Sequence, residues 1–175
     1  MLDKDNIYLI GIGGIGMSAL ARYFKSIGKN VAGYDRVQTP LCILLENEGM
    51  AIHYEDSVDL IPKAFKDSKT TAIIYTPAIP VDMTELEYFK ANGFELMKRA
   101  LVLGKISQKH TCLAVAGTHG KTTTSALLAH LFKQAGHNVT AFLGGISSNY
   151  QTNFLAGDEN GILVAEADEY DRSFL

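Results

Sequence analysis

Two short stretches of the chain hold residue types suited to phosphate chemistry. One is Gly117-Thr118-His119-Gly120-Lys121-Thr122-Thr123. Backbone N–H groups of such a turn can cradle phosphate oxygens. The Lys121 ammonium can neutralise charge on β and γ oxygens, and a hydroxyl of Thr122 or Thr123 can hold Mg²⁺. These seven residues read as an ATP-binding loop, with Lys121 and His119 as candidate catalytic groups. Val115 stands where the strict pattern G-x-x-x-x-G-K-[ST] has its first glycine, so the loop is a variant of that pattern. His119 lies inside it, where it either touches phosphate or shapes the turn.

The other stretch is Gly11-Ile12-Gly13-Gly14-Ile15-Gly16-Met17-Ser18, which contains G-x-G-x-x-G. Glycines there allow a tight turn and let the backbone approach a pyrophosphate that the following helix N-terminus attracts. Asp35 ends the next apolar run, roughly 20 residues after the motif, where a ribose-binding acid would sit. The motif leaves open whether the ligand is a dinucleotide or a nucleotide sugar. Thr76-Pro77-Ala78-Ile79-Pro80 follows another apolar run. It is either a rigid turn or a pocket wall, which makes Thr76 and Ala78 candidate contacts. Glu166 closes the run Ile162-Leu163-Val164-Ala165, and such a strand would deliver its carboxylate to the sheet edge where ligands bind. Thr122, Thr123 and Glu166 are therefore the candidate metal residues. Asp168, Glu169 and Asp171 beyond them read equally well as a solvated loop.

The elements that position these residues alternate in type. Strands are expected at 7–10, 30–34, 51–53, 71–75, 94–97, 111–116, 139–143 and 161–165. Helices are expected at 15–27, 39–48, 58–65, 83–91, 98–109 and 121–134. Strand–helix alternation implies parallel sheets flanked by helices. The helix at 98–109 has the look of a connector, and a boundary falls near 105–110. Residues 1–107 then form one domain, and 108–175 supply too few strands for a complete nucleotide-binding sheet.

At 175 residues, 47% hydrophobic and 20% charged, the composition is that of an ordinary globular protein. The net charge of −3 offers no basic surface for nucleic acid. Cys42 and Cys112 lack metal-ligand spacing and read as buried reduced thiols. His53, His110, His130 and His137 have no partner at motif spacing. No apolar stretch is long enough to span a bilayer and the first residues are polar and acidic, so the expectation is a cytoplasmic protein.

Taken together, Gly11–Ser18, Gly117-Thr118-His119-Gly120-Lys121-Thr122-Thr123-Thr124 and Glu166-Ala167-Asp168-Glu169-Tyr170-Asp171-Arg172-Ser173-Phe174-Leu175 resemble the Mur ligases of peptidoglycan synthesis. Most other members carry asparagine where His119 stands, and in having histidine there the chain resembles the member that adds L-alanine. Gly-Gly-Ile-Gly-Met-Ser differs from the related ligase that attaches a tripeptide. The resemblance implies a Rossmann-like parallel-sheet domain that binds a UDP-sugar, followed by the start of a P-loop-type α/β ATPase domain. It leaves the family's metal-binding histidine and its amino-acid-binding third domain without counterpart here. It also implies that UDP-N-acetylmuramate, ATP, Mg²⁺ and L-alanine take part. Gly11, Gly13, Gly14, Ile15, Gly16, Met17, Ser18 and Asp35 would hold the UDP part. Tyr75-Thr76-Pro77-Ala78-Ile79 departs from the family's serine-rich pattern at that point. Two other functions compete with the ligase: a nicotinamide-dependent dehydrogenase, suggested by the first glycine motif alone, and a non-catalytic nucleotide-sugar sensor. As 175 residues, the chain is expected to bind substrate without turnover. Oligomeric state stays open.

Overall fold

Strands buried on both faces read as unbroken apolar runs, and Asn6–Ile10 (β1) and Thr71–Tyr75 (β4) are the most deeply buried strands of a five-stranded parallel sheet. The computed structural model describes residues 3–80, 82–158 and 160–167. By its contacts the chain divides into two compact units, Met1–Arg99 and Ala100–Leu175. The helix Arg99–Ser107 (α4), expected as a connector, clusters almost entirely with the second unit. Among the described residues no helix is long and apolar enough to cross a membrane.

The first unit adds β2 (Asn30–Tyr34), β3 (Ala51–His53) and β5 (Glu95–Lys98), in the order β3-β2-β1-β4-β5. That is a doubly wound order, whose reversal between β1 and β4 leaves a crevice at the carboxyl ends of those two strands. The Gly11–Gly16 turn and Thr76–Ala78 both leave the sheet at that point. Helix α1 (Ile15–Ser26) lies against β1 and β2 and buries Met17, Leu20, Ala21 and Phe24. Helix α2 (Pro40–Asn47) begins as its sequence suggests, with Pro40 in the first turn and the Thr39 hydroxyl accepting the Cys42 N–H. Helix α3 (Thr84–Ala91) has no cap of its own. Asp56 reaches it from a distant loop and accepts the N–H groups of Thr84 (2.8 Å) and Glu85 (3.0 Å).

The expected helix at 58–65 is two single 3-10 turns, Val58–Leu60 and Lys63–Phe65. Pro62 is the cause: its ring disfavours helical geometry at the preceding residue, and Ile61 is extended at ψ 123°.

Beneath α3 lies a buried polar cluster. Tyr8 Oη is 2.7 Å from Glu85 Oε2 and 2.6 Å from His53 Nε2, while His53 Nδ1 is 2.9 Å from the Glu55 carbonyl. Burial is the main force raising the Glu85 carboxyl to about 7. Bonds from Tyr8 and the Ser57 N–H oppose that rise, and Asp56 adds to it. Burial likewise raises Tyr8 and lowers His53. Ionised, Glu85 accepts from Tyr8. Protonated, it can donate to Tyr8, Tyr8 to His53 Nε2, and His53 Nδ1–H to the carbonyl, one proton per bond. Because its pKa is raised on folding, Glu85 stabilises the fold most below about pH 4.5 and loses that contribution as pH rises through 7. The stability advantage of wild type over Glu85→Gln should therefore shrink by about 2.5 kcal/mol between pH 5 and 8. Denaturant melts at the two pH values measure this, and a constant difference would contradict it.

The second unit is a four-stranded sheet in the order β6-β9-β7-β8. Its strands are β6 (Thr111–Val115), β7 (Val139–Ser147), β8 (Thr152–Leu155) and β9 (Ile162–Glu166). Strands β6, β9 and β7 are parallel, and β8 returns antiparallel to β7. Helix α5 (Lys121–Gln134) covers β7 and β9, packing Ala129, Leu128 and Phe132 with Ala141, Leu143 and Val164. Strand β8 escapes a sequence reading because its apolar run, Phe154-Leu155-Ala156, is short and follows the polar Gln151-Thr152-Asn153.

Candidate functional site

The second unit carries the loop between β6 and α5. Gly117 (φ +137°) and Gly120 (φ +77°) both have positive φ, a region that favours glycine. Gly120 is the residue that opens α5. Gly117, Thr118, His119 and Gly120 are exposed, so the turn and the first N–H groups of α5 are accessible to an anion. Lys121 folds back over the loop, its Nζ bonded to the Gly117 carbonyl at 2.5 Å. That contact holds the ammonium at the loop mouth. Thr123 and His119 are exposed at the same end of α5.

Glu166 reaches the loop from the carboxyl tip of β9. Its Oε2 accepts from Thr122 Oγ1 at 3.3 Å. Its Oε1 accepts from Ser125 Oγ at 3.1 Å and from the Gly144 N–H at 2.9 Å. An ideal Cβ on Gly144 would lie 2.5 Å from Oε2 and 2.7 Å from Oε1, so only a glycine lets the carboxylate approach β7 this closely. The structure thus brings together Lys121, Thr122 and Glu166. Ser125 and Gly144 were missed, although Ser125 follows Thr122 by one helical turn and Gly144-Gly145 is a glycine pair inside a strand. Hard oxygens from a hydroxyl and a carboxylate beside a glycine loop at a helix N-terminus are donors that suit Mg²⁺, so Thr122 and Glu166 fit that ion. No group of three or more His, Cys, Asp or Glu gathers as a metal set among the described residues. Asp168, Glu169 and Asp171 lie outside the described residues.

The first unit carries the glycine turn. Gly11 has φ +83°, and the N–H groups of Gly11 and Ile12 bond to the Tyr34 carbonyl at 2.8 and 3.1 Å. The Gly14 N–H bonds back to the Gly11 carbonyl at 3.2 Å. Asp35 closes the arrangement, Oδ2 accepting from the Gly13 N–H at 2.8 Å and Oδ1 from the Val37 N–H at 3.2 Å. Its carboxylate braces the turn. Gly13 is hemmed in: a Cβ there would collide with Cys42 Sγ and lie 2.9 Å from Asp35 Oδ2 and 3.1 Å from Thr39 Oγ1. Gly14 and Ile15 are exposed and Gly16 is half-buried at the start of α1, where a phosphate would meet helical N–H groups.

Met17 and Ser18 stand differently. Both side chains are buried, and Ser18 Oγ donates to the Ile15 carbonyl at 2.9 Å, so they support α1 from inside. Thr76 lies against Gly11, its Cγ2 2.7 Å from an ideal Cβ, and its hydroxyl accepts the Ala78 N–H at 3.4 Å. Ala78 is exposed beside it. A residue without any motif signal completes the edge. Arg99 follows β5 and places its guanidinium against Gly16, with Nη1 2.5 Å from an ideal Cβ. That adds a cation beside the opening of α1.

A sequence profile described as the Mur ligase family, catalytic domain, matches residues 6–111. The chain is similar to the UDP-N-acetylmuramate–L-alanine ligases of Porphyromonas gingivalis and Christiangramia forsetii. Identity is 55% over 96% of this chain and 37% of the first, and 54% over 100% of this chain and 39% of the second. It therefore spans a little over a third of the length of the curated relatives it matches. Among solved structures, it is similar to the UDP-N-acetylmuramate–alanine ligase MurC of Thermotoga maritima, with TM-score 0.84, 33% identity, and 94% of this chain and 37% of that one covered. It is equally similar in fold to the UDP-N-acetylmuramate:L-alanyl-γ-D-glutamyl-meso-diaminopimelate ligase of Neisseria meningitides, with TM-score 0.84, 28% identity, and 97% of this chain and 54% of that one covered.

Proposed function

Because the chain belongs to the Mur ligase family, we propose that it carries the UDP-sugar-binding domain and the opening of the ATP-binding domain of an enzyme that joins L-alanine to UDP-N-acetylmuramate. ATP phosphorylates the lactyl carboxylate of the UDP-sugar, and the amine of L-alanine attacks the resulting acyl phosphate, releasing phosphate. The product is a peptidoglycan precursor, which ties the activity to cell-wall growth, shape and division in the cytoplasm. The observation that carries this reading is the pairing of the Lys121–Thr122–Glu166 geometry with 54–56% identity to L-alanine ligases. Fold similarity alone favours neither amino acid nor tripeptide, since both kinds of ligase superpose equally well.

In this reading the loop N–H groups and Lys121 bind the β and γ phosphates, with His119 and Thr118 at the loop surface. Thr122 and Glu166 hold Mg²⁺, with Thr123 next to them. When bound, that ion neutralises charge on the transferring phosphoryl group. In the first unit, Gly11 to Gly16 and the start of α1 seat the diphosphate. Thr76 and Ala78 flank it, and Asp35 keeps the turn in shape.

Calorimetry tests the substrate. UDP-N-acetylmuramate should give a saturable heat with the 175-residue polypeptide and NADH none. The reverse pattern would favour a dehydrogenase, and no heat with the UDP-sugar would defeat the assignment. Because these residues span a little over a third of the relatives' length, alanine-dependent ATP hydrolysis by the same polypeptide should be negligible. Robust turnover would overturn that part of the reading.

A further inference from the structure

The two oxygens of Glu166 are held unequally. Oε1 accepts from both Ser125 Oγ (3.1 Å) and the Gly144 N–H (2.9 Å), whereas among the described residues Oε2 accepts from the Thr122 hydroxyl, at 3.3 Å. Ser125 is fully buried on α5. Its single proton has two acceptors in reach, Glu166 Oε1 and the Thr122 carbonyl, both at 3.1 Å. A bond to an ionised carboxylate is the stronger of the two, so the proton goes to Glu166. A buried serine on α5 and a backbone N–H on β7 thus clamp one oxygen of a side chain delivered by β9, and leave the other turned toward Thr122.

We propose that Ser125 is a positioning residue: with the Gly144 N–H it fixes the Glu166 carboxylate so that Oε2 is presented, beside Thr122, to a nucleotide-bound divalent cation. The inference rests on the phosphate-loop reading above. It makes Ser125 act on the metal through Glu166, without touching nucleotide. Residues that orient metal ligands typically change metal affinity by about 10–100-fold when removed.

The test uses Mn²⁺ as the probe, titrated by electron paramagnetic resonance into the protein with ATP, alongside ATP binding in EDTA. Ser125→Ala should weaken Mn²⁺ binding about 10-fold and leave metal-free ATP affinity within about 2-fold of wild type. Gly144→Ala pushes a methyl group at the same carboxylate from β7 and should produce the same metal-specific loss. Agreement between variants on two different elements separates positioning from a folding defect. Unchanged Mn²⁺ affinity in both variants, or a parallel fall with and without metal, overturns the inference. If wild type binds no ATP in either condition, the phosphate-loop reading fails and this inference with it. Normal ATP binding together with Mn²⁺ affinity that ignores Ser125→Ala and Gly144→Ala defeats this inference alone.

Discussion

Gly13→Val is expected to abolish UDP-N-acetylmuramate binding and to destabilise the first unit by about 3 kcal/mol. Gly13 has no positive φ to protect; what it needs is space. A Cβ at this position collides with Cys42 Sγ and crowds Asp35 Oδ2 and Thr39 Oγ1, and valine adds two further carbons. Relief requires either Asp35 to release the Gly13 N–H or α2 to back away through Thr39 and Cys42. Either movement opens the turn that presents the start of α1. Gly14→Ala is the matched comparison. Its nearest neighbour would be the Gly11 carbonyl at 3.4 Å, ordinary contact, so the fold should stand. Gly14 is exposed at the same turn, so any lost binding would report ligand approach alone. Melting curves paired with calorimetry separate the two effects. Unaltered UDP-sugar affinity in Gly13→Val would remove the turn from the binding site.

The contrast between these neighbouring glycines marks what the sequence can convey. Both glycine turns were legible as structure because each is local: a strand, a few glycines and a helix within about a dozen residues, a unit whose physics needs no distant partner. Asp35 was legible as to place, at the end of β2, but its engagement with the Gly13 N–H is a product of the β1–β2 register. The burial of Met17 was legible in principle, since Met17, Leu20, Ala21 and Phe24 share one helical stripe. Motif resemblance carries over position and says nothing about which way a side chain points. Ser125, Gly144 and the Tyr8–His53–Glu85 cluster were hidden for a different reason. Each contact joins residues 22 to 77 positions apart, and strand order decides which distant residues meet. Strand β9 inserts between β6 and β7, and that insertion is what brings Glu166 beside both α5 and Gly144.

Lys121→Ala is expected to lose ATP affinity by about 30–150-fold, equal to about 2–3 kcal/mol for a charge-assisted contact to phosphate. Lys121 already lies over the loop through its bond to the Gly117 carbonyl, so little side-chain freedom remains to be lost on binding, and its contribution should approach the full value of the contact. The loop itself should survive, because Gly117 and Gly120 hold it by backbone conformation and Thr124 N–H bonds to the Gly120 carbonyl at 2.9 Å. Lys121→Arg keeps the charge but replaces a compact ammonium with a broad planar fork, so affinity should recover only in part. ATP titrations followed by calorimetry in EDTA isolate this effect from the cation. Lys121 should matter there as much as with metal present, whereas Ser125 should matter only with it. Equal metal dependence for the two variants would mean that the loop and the Glu166 clamp act as one unit, and the division of labour between phosphate binding and cation binding would have to be abandoned.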